Sequence, residues 1–141
     1  MEKKIPTELD WVNAFSACSL DSVFQKLKLQ VAQDVKARNA QFDPNSTAVG
    51  VYKYKFEMTE HGDRFAVALS GVNLPLVPHR TITFALEEKR IAVTNSTGRR
   101  EFDAYLTLND EGECRVKIDD AECELWQLRR RALQKLFFET I

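Results

Sequence analysis

His61 and His79 are the only histidines in the chain, so a metal centre built from several imidazoles is excluded. The three cysteines, Cys18, Cys114 and Cys123, form no CxxC pair and no zinc spacing. A sparse, odd set of this kind is expected to persist as free thiols, packed as small hydrophobes in a reducing compartment. There is no phosphate-cradling glycine loop, no HExxH, no GxSxG and no calcium loop. No catalytic residue, metal or cofactor is therefore assigned. His61 falls in the turn sequence Glu60-His61-Gly62-Asp63 and reads as a solvated turn residue. His79 closes a stiffer segment and is kept as a candidate ligand-binding residue.

The more informative signals are charges placed on apolar helical faces. At about 100° per residue, Val23, Leu27, Leu20, Val31, Phe24 and Val35 form one arc of a long helix. Asp34 and Arg38 fall inside that arc. On the last helix, Arg129 projects between Leu125, Leu133 and Leu136, while Arg130 sits at the arc's edge and Arg131 opposite. An arginine cannot shed its charge, so Arg129 must be paired or wet. Asp34 and Glu122 are its candidate partners. The alternative is a pocket in which Arg129, Asp34, Arg38 and His79 receive a carboxylate or phosphate through forked, charge-assisted bonds. Replacement of Arg129 by leucine separates the cases. It is near neutral if the side chain snorkels, and costs on the order of 3–5 kcal/mol if it strands a buried partner.

These residues need elements to hold them. The 141-residue chain is 44% hydrophobic and 29% charged, with a net charge of −1 and a pI near 6.1. That is the composition of a globular protein without a global basic field for nucleic acid or anionic lipid. The charged N-terminus lacks the apolar core of a secretory signal, and no run reaches the roughly 20 apolar residues of a membrane span. Cytoplasmic residence with no membrane partner is expected.

One α+β domain over residues 1–141 is predicted. A capping box at Thr7–Asp10 opens a short helix ending near Ala17, and Ser19 caps a second helix ending near Asn39. From residue 49 the period becomes two, giving about six antiparallel strands with one apolar face each. Asp119, with Glu122, caps a closing helix that runs to about Glu139. The long helices should cover one face of a curved sheet and leave room for a ligand between helices and sheet.

Two surfaces complete the reading. Gly71–Arg80, with two prolines, is a stiff apolar loop whose Leu74, Leu76 and Val77 should bury against the core or a second subunit. The polar sheet face carries Lys53, Lys55, Arg64, Arg115 and Lys117 with one aromatic, Tyr105. Glu57 and Asp103 share it, which counts against single-stranded nucleic acid. The favoured function is a non-catalytic binding or assembly domain, homo-oligomeric, holding a small acidic ligand. The alternatives are a small enzyme using the Arg/Asp-lined cavity and nucleic-acid binding on the sheet face.

Overall fold

The computed structural model describes residues 10–41, 54–71 and 78–140. Leu74, Leu76 and Val77, the expected interface, lie outside the described residues, as do Thr7 and Lys53.

The α+β architecture expected from the sequence is observed: two helices, an open antiparallel sheet, then a third helix. Helix α1 spans Trp11–Ala17, and the carboxylate of Asp10 caps it by accepting from the Asn13 amide. Helix α2 spans Leu20–Ala40 and is capped by the Ser19 hydroxyl, which satisfies the Ser22 amide. Its apolar stripe buries Phe24, Leu27, Val31 and Val35.

Seven strands follow as a meander in which every sequence neighbour is a spatial neighbour. They are β1 (Tyr54–His61), β2 (Arg64–Gly71), β3 (Thr81–Leu86), β4 (Ile91–Thr94), β5 (Arg100–Leu108), β6 (Cys114–Ile118) and β7 (Ala121–Cys123), with a single 3-10 turn, Pro78–Arg80, before β3. Alternation delivers Phe56, Phe65, Val67, Leu69, Ile82, Phe84, Ile91, Val93, Phe102, Val116 and Ile118 to one core shared with α2 and α3.

The sheet thus has seven strands where about six were expected, and the difference lies at Asp119. That residue does not cap the last helix. Asp119 and Asp120 both take left-handed φ angles, 52° and 64°, and so form the two-residue turn of a hairpin whose return strand is β7. Helix α3, Leu125–Phe138, begins later, capped reciprocally by Glu124 and Gln127. Among the described residues no helix is long and apolar enough to cross a membrane.

Among the described residues β1 is an edge strand, and the end of α2 guards it near its start. The Asn39 side-chain amide donates to the Phe56 carbonyl at 2.8 Å and accepts from the Phe56 amide at 2.9 Å. A side chain thereby takes up backbone groups that a further strand would pair. This contact fixes the C-terminal half of α2 against the sheet.

The cysteine expectation is corrected for two of the three residues. Cys18 and Cys114 form a disulfide with Cα atoms 5.3 Å apart. It staples the α1–α2 junction to the start of β6. Cys123 remains a thiol, and partial burial pushes its pKa up against the pull of Arg115 and Arg131.

Candidate helix-seam groove

Helices α2 and α3 run in the same direction, because Gln30 and Asp34 meet Arg129 whereas Arg38 meets Phe137. Their seam opens into a groove of about 550 Å³. From α2 and its C-cap it takes Asp34, Ala37, Arg38 and Gln41, one face at 3–4-residue spacing. From α3 it takes Trp126, Arg129, Arg130, Leu133, Gln134, Phe137 and Phe138. Three of the four expected ligand-binding residues, Asp34, Arg38 and Arg129, therefore share one groove.

Their environments differ. Arg129 donates through Nε to Asp34 Oδ2 and through Nη1 to Gln30 Oε1, both at 2.6 Å. Its side chain is 19% exposed and that of Asp34 32%. Asp34, rather than Glu122, is thus the partner. Arg38 donates Nε to the Phe137 carbonyl at 2.9 Å and Nη1 to Gln41 Oε1 at 3.1 Å. Its guanidinium lies 4.8 Å from the centre of the Phe138 ring, a cation–π contact. Asp34 and Arg38, four residues apart, consequently do not pair with each other.

The half-buried state of the Arg129–Asp34 pair sets its strength. Fully exposed pairs are worth under about 1 kcal/mol, and breaking a fully buried pair costs about 3–5 kcal/mol. An Arg129→Leu, Asp34→Leu double-mutant cycle should give a coupling of about 1–2 kcal/mol in urea unfolding. A coupling indistinguishable from zero would show that Gln30, not Asp34, holds the guanidinium.

His79 is not in the groove. It sits on the 3-10 turn, with Nε2 2.6 Å from Glu101 Oε1, an oxygen that also accepts from Asn95 Nδ2 at 3.1 Å. The Asn95 side-chain oxygen Oδ1 in turn accepts from the Thr97 and Arg99 amides. His79 thus joins a network that organises the β4–β5 turn.

Sequence reasoning missed Arg130, Trp126 and Phe138. Trp126 is 52% exposed and Phe138 58% exposed. Arg130 donates to Gln134 Oε1 at 3.1 Å, and among the described residues no carboxylate pairs with it. The recoverable signal is a second stripe on α3, Trp126, Arg130, Leu133 and Phe137, at helical spacing beside the core stripe.

A second cavity of about 580 Å³ lies where α2 and α3 begin, against β5–β7. Cys114, Arg115, Cys123 and Trp126 line it, and Arg129 divides it from the groove. Arg115 Nη1 donates to Glu124 at 2.9 Å, while its buried Nε has no hydrogen-bond partner, with Glu122 3.9 Å away.

On the polar sheet face the cations meet acids. Lys55 pairs with Glu57 at 3.1 Å, and Arg100 bonds Asp103. Arg90 bonds Glu87 at 2.7 Å, which holds the Glu87 carboxyl below its usual range and the Arg90 guanidinium above its own. Among the described residues, no three histidine, cysteine or carboxylate side chains are grouped to hold a metal ion.

Compared with known proteins, the chain matches no family model, no curated protein and no solved structure.

Proposed function

We propose that this is a non-catalytic binding or assembly domain whose α2–α3 groove takes an acidic group carried on an apolar body. The observation that supports this most is the charge balance of the groove. Arg129 takes up the carboxylate of Asp34, and Arg130 beside it has no carboxylate partner among the described residues. Trp126, Phe137 and Phe138 supply the apolar wall. A planar guanidinium beside aromatic surface suits a carboxylate or phosphate attached to a ring or chain. Among the described residues the lining holds no hydroxyl, thiol or imidazole, which favours binding over turnover.

Thermal shift with aryl carboxylates and aryl phosphates tests the reading. A ligand at 100 times its Kd should stabilise by about 2.7 kcal/mol, and Arg130→Glu should abolish the shift. Stabilisation that survives Arg130→Glu would place the acid elsewhere.

Cytoplasmic residence belongs with this proposal, and the Cys18–Cys114 disulfide weighs against it, since such bonds are rare where glutathione keeps thiols reduced. Alkylation of thiols in intact cells reads the compartment directly. Free Cys18 and Cys114 support the cytoplasm, and a protected pair overturns it.

A further inference from the structure

Helix α1 buries none of its residues, yet it is held in place. Trp11, Val12 and Phe15 are 63%, 53% and 59% exposed, and the Trp11 and Phe15 rings meet edge to face at 6.2 Å. Packing does not fix this helix; the staple at Cys18 and the cap at Asp10 do. Exposed aromatics on a tethered helix form a surface made for contact.

We propose that α1 of a second copy of this chain fills the α2–α3 groove, and that two copies exchange the helix reciprocally. This rests on the acidic-apolar reading of the groove and names its occupant. Charge is complementary. Helix α1 carries no charge of its own and is capped by Asp10, opposite a groove in which Arg130 has no carboxylate partner among the described residues. Apolar character matches as well, with Trp11 and Phe15 opposite Trp126 and Phe138.

The protein's own α1 reaches only the near end of the groove, where Ala17 shares the second cavity with Trp126 and Arg129. Asp34 lies about 14 residues along α2 from its start, or roughly 21 Å, whereas seven-residue α1 spans only about 10 Å from the anchored Cys18. A second copy has no such limit.

Area decides between a single contact and an exchange. Four half-exposed aromatics per copy each leave about 100 Å² to cover, given that such side chains bury roughly 150–250 Å² in full. A reciprocal pair therefore covers about 800 Å² before its rim, approaching the roughly 1,000 Å² of a specific interface, and one contact reaches half of that. Exchange by a twofold axis closes the assembly and uses both grooves.

Light scattering of the full chain over a concentration series tests the assembly. The wild type should reach twice the chain mass, and its fluorescence should shift to shorter wavelength as it does, since the only tryptophans, Trp11 and Trp126, both enter the interface. Trp11→Ser with Phe15→Ser, and separately Arg130→Glu, should both remain at chain mass. Neither change touches the core, so folding is preserved. A wild type that stays monomeric at about 100 μM, or an α1 variant that still dimerises, overturns the exchange. Binding of 8-anilinonaphthalene-1-sulfonate, an anionic aromatic, separates this from the groove reading. The α1 variant, its groove vacated, should bind the dye more than wild type and lose it with Arg130→Glu. Arg130-dependent dye binding without any dimer leaves the groove and removes α1 as its occupant. Dye binding that ignores Arg130 removes both.

Discussion

Reduction of the Cys18–Cys114 disulfide is expected to lower the folding free energy by roughly 4–5 kcal/mol. The bond joins residues 96 apart, close to the loop of about 100 residues for which the chain-entropy model gives about 4.7 kcal/mol. The effect acts through the unfolded chain, which the bond holds compact by tying the α1–α2 junction to β6. Urea unfolding with and without reductant should therefore show a lower midpoint on reduction. It should also show a steeper dependence on urea, because the released chain exposes more surface when it unfolds. Cys18→Ser with Cys114→Ser should reproduce the reduced curve in oxidising buffer. Coincident midpoints would mean that the staple adds nothing to stability. Cys123 offers an internal control. It should be the single thiol that titrates in the folded, oxidised protein, and slowly, because burial holds its pKa up. Since Trp11 and Phe15 owe their position to this staple, the proposed helix exchange should weaken along with stability.

The disulfide was not legible because pairing of distant cysteines depends on the fold. Nothing in three scattered thiols says which two approach, and sparse usage pointed to the opposite redox state. Local periodicity was far more readable. Helix α2 was placed with its cap because Ser19 precedes an apolar stripe at 3.6-residue spacing. The first six strands followed from period-two alternation. Strand β7 was missed because three residues, Ala121–Cys123, are too short to show a period, and its turn is Asp-Asp rather than the usual Asn-Gly. The Arg129–Asp34 bridge was foreseen as one of two pairings, since helical projection put both charges on apolar arcs. His79 was grouped with them only by its nearness to a stiff loop, and Glu101 holds it elsewhere. What sequence could not supply was the direction of α3 relative to α2. That direction sets Arg130, Trp126 and Phe138 opposite Asp34 and Arg38, and so creates the groove.

Phe65→Ala is expected to cost about 3–5 kcal/mol, the range for removing a buried phenylalanine and leaving its cavity. Phe65 is 1% exposed and joins two elements. Its ring stacks on Phe84 of β3 with centroids 4.7 Å apart, and Phe24 of α2 packs on it at 5.2 Å. Truncation removes the ring contact of both neighbours, and β2 cannot close the gap while paired on both sides with β1 and β3. Midpoint temperature should drop by roughly 10–20 °C, given about 3–4 °C per kcal/mol for a chain of this size. The dependence on urea should stay unchanged, since the loss lies in the folded core and not in the extent of the unfolded chain. This separates two losses of similar size: reduction alters both midpoint and slope, and Phe65→Ala alters the midpoint alone. The groove should survive in the folded fraction of the variant, because Arg129–Asp34 and Arg38–Phe137 tie α2 to α3 independently of Phe65. Arg130-dependent binding of an anionic aromatic by folded Phe65→Ala protein would establish that independence, and its loss would mean that the Phe24–Phe65–Phe84 stack sets the spacing of the seam.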